Sequence, residues 1–282
     1  MDITIGLDIG GTKIMAAAAD ETGAVIRRVR RDTPQGLDEG LDLLKQLTVE
    51  LRGSDRIAAI GAAAGGPLDW QTGIVSPLHQ PQWRDVPLKD IFEKEFRCAF
   101  RVDVDTNAAA MAEWAAGGET AGSLLYLTLS TGMGGGFVVD GRLYRGKDGA
   151  HPEVGHQSVG FRCAHPERVK CDCGAPDCLE ALVSGNGIRR VYGKRAEELT
   201  ETEWKEVAFN LGLGLRNLAA VLAPDVIVLG GGVAVGGGDS FIDEARRVMG
   251  SRLFLVPAPR LRLSNLGYDT ALLGAIALAR GG

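Results

Sequence analysis

The chain of 282 residues lacks an excess of basic charge, a long apolar run and a basic segment ahead of its first apolar stretch. Its net charge of -5 gives no general reason to expect nucleic acid or an anionic membrane as a partner. No apolar run approaches the roughly 18 residues that a membrane span needs, and the N-terminus does not resemble a signal peptide. We therefore expect a cytoplasmic enzyme or binding protein.

Cysteine is also scarce, with five residues in the chain. Cys98 stands alone and is expected to be a small buried hydrophobe. The other four lie close together, at Cys163, Cys171, Cys173 and Cys178. An odd total without an export signal argues against a disulfide framework and favours a metal site or free thiols.

Glycine, in contrast, is abundant, with 40 residues that come in clusters. One cluster, in the segment from Asp8 to Lys13, joins two apolar runs at 3–9 and 14–19 that are typical of a hairpin. Its glycines would let backbone N–H groups approach a phosphate, but an ordinary tight turn explains the pattern equally well. The spacing of a Walker A loop is absent.

The same succession of strand, glycine-rich turn, strand and hairpin recurs later in the chain. A strand predicted at 124–129 is followed by the turn Ser130 to Gly136, and Asp140-Gly141 is a strong hairpin signal. The two copies predict two halves of related topology, each with a phosphate-directed turn that faces a shared cleft.

Asp105 occupies the position where open α/β sheets usually carry their chemistry. A predicted strand at 100–104 ends just before it, and an Ala-rich helix at 108–114 follows. This placement makes Asp105 the candidate catalytic residue, although a carboxylate that caps the following helix is the structural alternative.

The remaining pattern alternates strands and helices and predicts an α/β protein. Further strands are predicted at 24–31, 57–64, 225–229 and 261–263, and helices at 37–51, 88–96, 178–192, 204–222, 240–249 and 271–279. Residues 77–83 are predicted to form a loop.

Taken together and in this order, the motifs resemble the ROK family of sugar kinases and repressors, over nearly the whole chain. The matching segments are Asp8 to Lys13, Asp105-Thr106-Asn107-Ala108-Ala109, Ser130 to Gly136, Glu153-Val154-Gly155-His156, Cys171 to Glu180, and Gly230 to Gly232. The resemblance implies a two-domain actin-like ATPase fold, which is ribonuclease H-like, with a cleft between the domains. The first domain is expected at 1–116, completed by a C-terminal helix at 270–282, and the second at 117–269, with Gly117-Gly118 as a hinge.

The resemblance also implies roles for individual residues. Asp105 would be the general base on a sugar hydroxyl, and Asp8 would hold Mg²⁺ through water. The residues expected to bind ATP are Asp8, Gly10, Gly11, Thr12, Lys13, Thr131, Gly132, Gly134, Gly135, Gly231 and Gly232. The residues expected at the sugar are Gly66, Asn107, Glu153, His156 and Glu180, with Asn107 better suited to orienting the turn than to touching the sugar.

A structural Zn²⁺ site is predicted from one imidazole and three thiolates, a closed tetrahedral set. Its ligands would be His156, Cys171, Cys173 and Cys178, and either Cys163 or His165 could replace one of them. His156 would bind zinc through one ring nitrogen and the sugar through the other, so that the metal orients a substrate contact.

The motifs are compatible with more than one sugar as the substrate. Val104 stands where many glucokinase-like members have an Asn that contacts the sugar, and His151-Pro152-Glu153 is more similar to bacterial fructokinases. An ATP-dependent kinase of glucose, then of fructose or of another sugar or cyclitol, is expected, with ADP or polyphosphate as alternative donors. A sugar-sensing repressor is a remote alternative, because the first strand begins at residue 3 and leaves no room for a helix-turn-helix domain. The resemblance further implies a homodimer or a higher homo-oligomer.

Overall fold

The computed structural model describes residues 1–117 and 122–281 and shows a mixed α/β protein. The strands are β1 (Asp2–Ile9), β2 (Lys13–Ala19), β3 (Val25–Asp32), β4 (Arg56–Ala64), β5 (Leu68–Asp69), β6 (Ile74–Val75), β7 (Val86–Pro87), β8 (Ala99–Val104), β9 (Ser123–Leu129), β10 (Met133–Val139), β11 (Arg142–Leu143), β12 (Val226–Gly230) and β13 (Arg260–Leu263). The α-helices are α1 (Leu37–Arg52), α2 (Leu88–Phe96), α3 (Asp105–Gly117), α4 (Glu180–Val183), α5 (Gly185–Tyr192), α6 (Glu201–Leu222), α7 (Gly232–Gly250) and α8 (Thr270–Ala279). Short 3₁₀ turns lie at Lys147–Gly149, Val154–His156, Pro166–Arg168, Ala196–Glu198 and Gly267–Asp269.

The chain forms two compact units. The first comprises Met1–Glu119, Gly141–Ala150 and Tyr268–Gly282, and the second comprises Thr120–Asp140 and His151–Gly267. Each unit has its own sheet and its own hydrophobic core. None of the described helices combines the length and the apolar character that a membrane span requires.

The sheet of the first unit has the strand order β3-β2-β1-β4-β8. Strand β1 runs parallel to β4, and β4 runs parallel to β8, with the last residues of the three strands in register. Their carboxyl ends therefore lie at one edge of the sheet, where ligands of open α/β sheets bind. The residues that follow these ends are Gly10, Gly65 and Asp105.

Helix α8 packs against β1, β4 and α3 with a very close approach of backbones. A methyl group on Gly61 of β4 would lie 1.9 Å from the carbonyl oxygen of Ala275, and one on Gly274 would lie 1.9 Å from that of Ala108. Only residues without a side chain fit at these points, which explains glycine there by packing. The contact holds α3 firmly, and α3 begins with Asp105.

In the second unit, strands β10, β9, β12 and β13 lie side by side in that order. Strand β9 is antiparallel to β10 and parallel to β12. Helices α6 and α7 pack against each other, and their apolar residues join the core of this unit. The end of β9 and the end of β12 are neighbours, with Gly230 paired to Thr128.

Most predicted strands and helices are confirmed within one to a few residues, but several differ. The helix predicted at 178–192 is two helices, because Ser184 is extended and its side chain accepts a hydrogen bond from Gly187 N–H at the start of α5. Helix α7 begins at Gly232 rather than near residue 240 and bends at Gly238, whose φ is 65°. The small sheet β5-β6-β7 was not predicted, because its strands are only two residues long. Gly118 of the predicted hinge lies outside the described residues.

Candidate active site

Asp8 and Asp105 interact electrostatically at the carboxyl edge of the first unit's sheet. The pKa of Asp8 is raised to about 7, first by burial and then by the carboxylates of Asp105 and Asp269. Three carboxylates thus share one region, where a bound cation would relieve their repulsion. The donor set is one that Mg²⁺ prefers, so the predicted place of the ion near Asp8 fits the chemistry of these residues.

Asp269 is a member of this cluster that the sequence did not reveal. It directly precedes α8, and its Oδ2 accepts a hydrogen bond from Arg28 Nη1 at 2.8 Å. The available signal was an Asp immediately before an apolar helical run, which is a common helix start and carries no indication of function.

Asp105 is the first residue of α3, and it is exposed. Its Oδ1 accepts a hydrogen bond from Thr106 N–H at 2.8 Å. The strand end and the helix start together fix the position of a carboxylate that solutes can reach. Such a group can accept a proton from a bound hydroxyl.

Asn107 lies in the first turn of α3 and is 1% exposed. Its Nδ2 donates to Asp103 Oδ1 at 2.9 Å, and its Oδ1 has no hydrogen-bond partner among the described residues. In this structure Asn107 therefore orients the turn between β8 and α3. A contact from Asn107 to the sugar stays a prediction.

The first glycine turn connects β1 and β2, as predicted. Gly10 N–H donates to the carbonyl oxygen of Lys13 at 3.0 Å, and the Gly10 carbonyl accepts from Thr33 Oγ1 at 2.7 Å. Thr12 also joins the turn to Thr33, whose N–H donates to the Thr12 carbonyl at 3.1 Å. The Lys13 ammonium forms an ion pair with Asp32 of β3. A phosphate bound at this turn would therefore compete with the Asp32 carboxylate for Lys13.

Gly11 and Gly66 lie on the same unit and are constrained by neighbours. A methyl group on Gly11 would lie 3.0 Å from Cβ of His79. The Gly66 carbonyl accepts a hydrogen bond from Leu78 N–H at 3.0 Å, and a methyl group on Gly66 would lie 3.5 Å from Val104 Cγ1. Val104 is thus packed at the carboxyl edge beside Gly66, and its side chain offers no hydrogen bond there.

The second glycine turn is shorter than predicted. Ser130 N–H donates to the carbonyl of Gly132 at 2.9 Å, and β10 begins at Met133. Gly134 and Gly135, which were predicted to approach phosphate from the turn, are residues of β10. At Gly135 a methyl group would lie 2.7 Å from Val154 Cγ2.

The start of α5 is joined to this turn. Gly185 N–H donates to the Ser130 carbonyl at 2.7 Å, and Asn186 N–H donates to the Thr131 carbonyl at 3.0 Å. Gly231 approaches from β12: its φ is 87°, and a methyl group on it would lie 2.3 Å from the Leu129 carbonyl. These contacts tie the start of α5, the end of β9 and the end of β12 together.

Gly232 opens α7, so a helix N-terminus lies next to the end of β9. Unsatisfied N–H groups and the helix dipole make such a point suited to a phosphate group. The predicted ATP residues of the second unit, Thr131, Gly132, Gly231 and Gly232, are brought into one neighbourhood by the pairing of β9 with β12.

Glu180 contacts this turn directly, which the sequence did not predict. Its Oε2 accepts a hydrogen bond from Met133 N–H at 2.8 Å. Its other oxygen, Oε1, lies 3.7 Å from the Cys171 sulfur. Glu180 therefore spans the distance between the second glycine turn and the predicted metal ligands.

The four predicted metal ligands lie together. Donor atoms of His156, Cys171, Cys173 and Cys178 are all within 4.8 Å of one another. His156 Nδ1 lies 3.4 Å from the Cys171 sulfur, and the sulfurs of Cys173 and Cys178 lie 3.5 Å apart. Tetrahedral zinc with Zn–S bonds of about 2.3 Å requires separations of this order. Neither Cys163 nor His165 belongs to this group among the described residues.

The pKa values of the three clustered thiols bear on whether a cation can bind there. Burial raises the pKa of Cys171 and that of Cys178, to about 12 for Cys178. The Ala175 N–H lowers the pKa of Cys173 by hydrogen bonding to its sulfur. At neutral pH, Cys171 and Cys178 therefore keep their protons unless a cation displaces them, and a divalent ion bound by thiolates fits the set.

Glu153 directly precedes the 3₁₀ turn Val154–His156, and its carboxylate faces the imidazole of His156. His156 Nε2 lies 3.9 Å from Glu153 Oε2, and His151 Nε2 lies 3.4 Å from Glu153 Oε1. Because His156 Nδ1 faces the thiols, its Nε2 is the nitrogen that remains for a hydroxyl. The Glu153 side chain is exposed, with 62% of its surface accessible.

Comparison with known proteins agrees with these motifs. The model of the ROK family matches residues 4–281. The chain belongs to the ROK family. A ROK hexokinase from Thermus thermophilus has a similar structure, with a TM-score of 0.87 and 34% identity over 99% of this chain and 98% of that one. As the ROK sugar kinases do, the chain has the two-domain actin-like ATPase fold.

Two curated relatives carry different names. A glucokinase from Halalkalibacterium halodurans is 28% identical, over an alignment that covers 96% of this chain and 92% of the relative. A fructokinase from Zymomonas mobilis is 33% identical, over an alignment that covers 79% of this chain and 77% of the relative. The sugar is therefore not decided by similarity.

Proposed function

We propose that this ROK-family sugar kinase transfers the γ-phosphate of ATP to a hexose hydroxyl, with glucose as the first candidate and its 6-hydroxyl as the acceptor. The observation that carries the proposal is the position of Asp105, exposed at the junction of β8 and α3, beside Asp8. Phosphoryl transfer needs positioning, charge stabilisation and a group that accepts the hydroxyl proton. Asp105 supplies the last of these.

In the proposed step, the sugar hydroxyl oxygen forms a bond to the γ-phosphorus as the bond from this phosphorus to the β,γ-bridging oxygen breaks. The hydroxyl proton passes to Asp105, and the electron pair of the broken bond stays on ADP. Asp8 would hold Mg²⁺ through water, and the ion would neutralise charge on the phosphates. The backbone N–H groups near Gly10 and Thr131 would approach the nucleotide.

Glu153, His156 and Glu180 are proposed to hydrogen-bond the sugar hydroxyls, each of which both donates and accepts. Zn²⁺ would be held by His156 Nδ1 and the three clustered thiolates, and it would fix the orientation of the imidazole. Glu180 Oε2 already accepts from Met133 N–H, so its contribution to sugar binding would come from its remaining lone pairs.

Fructose is the second candidate. Val104 offers no polar group at the carboxyl edge, and His151 contacts Glu153 in the segment that is more similar to bacterial fructokinases. A site without one hydroxyl partner discriminates less strongly for the sugar that carries that hydroxyl.

A homodimer is proposed by similarity to the family, and sedimentation of the purified protein tests it.

A coupled assay of ADP release tests the function across hexoses, amino sugars and cyclitols, and detection of the sugar phosphate extends it to ADP and polyphosphate as donors. We expect the highest kcat/KM with ATP and glucose. Asp105→Asn should abolish turnover and leave sugar binding intact, whereas Glu21→Gln, at an exposed loop position, should leave both unchanged. If none of these acceptors is phosphorylated, the proposed kinase activity is refuted. If Asp105→Asn keeps full activity, Asp105 is not the base in the mechanism.

A further inference from the structure

Asp103 is a buried carboxylate two residues before the proposed base. It is 2% exposed, near the end of β8. An ionised carboxylate in such a place is costly unless it is paired and hydrogen-bonded. The partners of Asp103 therefore decide whether the end of β8 keeps its geometry.

One oxygen of Asp103 binds the catalytic turn itself. Oδ1 accepts from Val104 N–H at 2.8 Å and from Asn107 Nδ2 at 2.9 Å. These donors lie on either side of Asp105 in the sequence, so the carboxylate bridges the strand end and the first turn of α3. The backbone that carries Asp105 is closed into a small loop by this carboxylate.

The other oxygen of Asp103 binds a distant cation. Oδ2 accepts from Arg145 Nη2 at 2.5 Å, across 42 positions of sequence. The Arg145 side chain is only 23% exposed, and its guanidinium carbon lies 4.2 Å from the centre of the Trp70 ring. The stacked ring limits the positions of the guanidinium, so Arg145 is held as a fixed charge rather than a free surface cation.

We propose that Arg145 is a positioning residue for the catalytic turn, acting on Asp105 through Asp103. Arg145 neutralises the buried carboxylate, and the neutralised carboxylate keeps its hydrogen bonds to Val104 and Asn107. Without the guanidinium, the Asp103 carboxylate turns toward water, its hydrogen bonds to Val104 and Asn107 weaken, and the turn that carries Asp105 loosens. The proposal rests on the proposed role of Asp105 as the base.

Arg145→Met removes the charge and keeps much of the side-chain length. We expect kcat to fall about 10- to 100-fold, because small displacements of a catalytic group have effects of that size. KM for ATP should change little. Arg145→Lys should recover part of kcat, and Arg142→Met, an exposed position of the same segment, should behave as the wild type.

Combining Arg145→Met with Asp103→Asn separates a positioning role of Arg145 from its other roles. In the double variant, the carboxamide that replaces the Asp103 carboxylate carries no charge that needs Arg145, and its oxygen can still accept from Val104 and Asn107. We therefore expect the double variant to regain both the urea midpoint and most of the kcat that Arg145→Met loses. Circular dichroism and urea unfolding show that each variant is folded.

Wild-type kcat in folded Arg145→Met would overturn the proposal. A double variant with restored stability and a kcat as low as that of Arg145→Met would also overturn it, since Arg145 would then act other than through Asp103. Asp105→Asn, measured alongside, separates this from the function itself. If Asp105→Asn is inactive and Arg145→Met is not, the positioning role fails while the base stands; if Asp105→Asn is active, both fail.

Discussion

The Oε2 atom of Glu180 accepts a hydrogen bond from the backbone N–H of Met133 at 2.8 Å. Met133 is 4% exposed and begins the strand after the second glycine turn, so its N–H has little access to water. A methyl group on Gly132 would lie 2.9 Å from the same carboxylate oxygen, which leaves this atom a closely defined place. Glu180 is thus a structural partner of the turn as well as a proposed sugar ligand.

This contact predicts different effects for two substitutions of Glu180. Glu180→Gln keeps an oxygen that accepts from Met133, whereas Glu180→Ala leaves a buried N–H without a partner. We expect Glu180→Ala to lower the free energy of unfolding by about 1–3 kcal/mol and Glu180→Gln by much less. Urea unfolding measures both, and equal stabilities would contradict a structural role for the contact. Both variants should lose sugar affinity if the negative charge contacts the hydroxyls.

Zinc binding is predicted to release protons. Because burial raises the pKa of Cys178 to about 12, its thiol is protonated at neutral pH until a metal displaces the proton. We expect about one zinc per chain, and an apparent zinc affinity that increases from about pH 6 to about pH 8. Metal analysis and titration with a competing chelator measure these quantities.

Cys98→Ser is the control for the zinc prediction, because Cys98 lies outside the four-ligand group. It should bind as much zinc as the wild type, whereas Cys173→Ser should bind far more weakly. A zinc-free preparation with unchanged thermal stability would argue against a structural metal at these residues.

The sequence predicted the parts of the site that follow from local order. Asp105 was found because a strand pattern ends just before it, and the metal ligands were found because they lie close together in the chain. Arg145 and Asp103 are 42 positions apart, and no periodicity links them. Asp269 lies close enough to raise the pKa of Asp8 because α8, which follows it, packs against the sheet of the first unit.

Local patterns also misjudged where glycine turns end. The run from Ser130 to Gly136 is rich in glycine, yet strand pairing begins at Met133. Gly135 is glycine because Val154 packs where its side chain would lie, a tertiary cause that no turn pattern contains. The glycine run at the start of α7 was also assigned to a turn because it is rich in glycine. Its residues from Gly232 are helical.

The start of α6 predicts a pH-dependent contribution to stability. Glu203 Oε2 lies 2.7 Å from Lys194 Nζ and accepts from Thr200 N–H at 2.6 Å. The Lys194 ammonium, followed by the Thr200 N–H, lowers the pKa of Glu203 to about 2. The unfolded carboxyl titrates at about pH 4.5, so this stabilisation is present above that pH and is lost as the pH falls toward about 2.

Glu203→Gln should therefore be less stable than the wild type at neutral pH, by about 1 kcal/mol or less. The difference should shrink below about pH 4, as the unfolded wild type takes up its proton. Glu201→Gln removes an exposed pair with Lys205 and should have no measurable effect on urea unfolding. A difference for Glu203→Gln that does not change with pH would contradict the electrostatic cause.

Asp8 should make the opposite contribution to stability. Its pKa is raised from an ordinary value of about 4 to about 7 by burial and by the carboxylates of Asp105 and Asp269. Between these pH values the folded protein binds more protons than the unfolded chain, so the free energy of unfolding falls as the pH rises toward about 7. Above that pH the loss is complete and constant.

Asp8→Asn removes the carboxyl that causes this loss. At about pH 8, without nucleotide or divalent cation, we expect the variant to be more stable than the wild type by roughly 1–3 kcal/mol, since a pKa difference of one corresponds to about 1.4 kcal/mol. Below about pH 4 the two proteins should unfold at similar urea concentrations. The same variant should have a lower kcat with MgATP, because the carboxylate proposed to hold Mg²⁺ through water is lost. A variant that is less stable than the wild type at the higher pH would show that Asp8 is held by attractive contacts, and not by repulsion that a cation relieves.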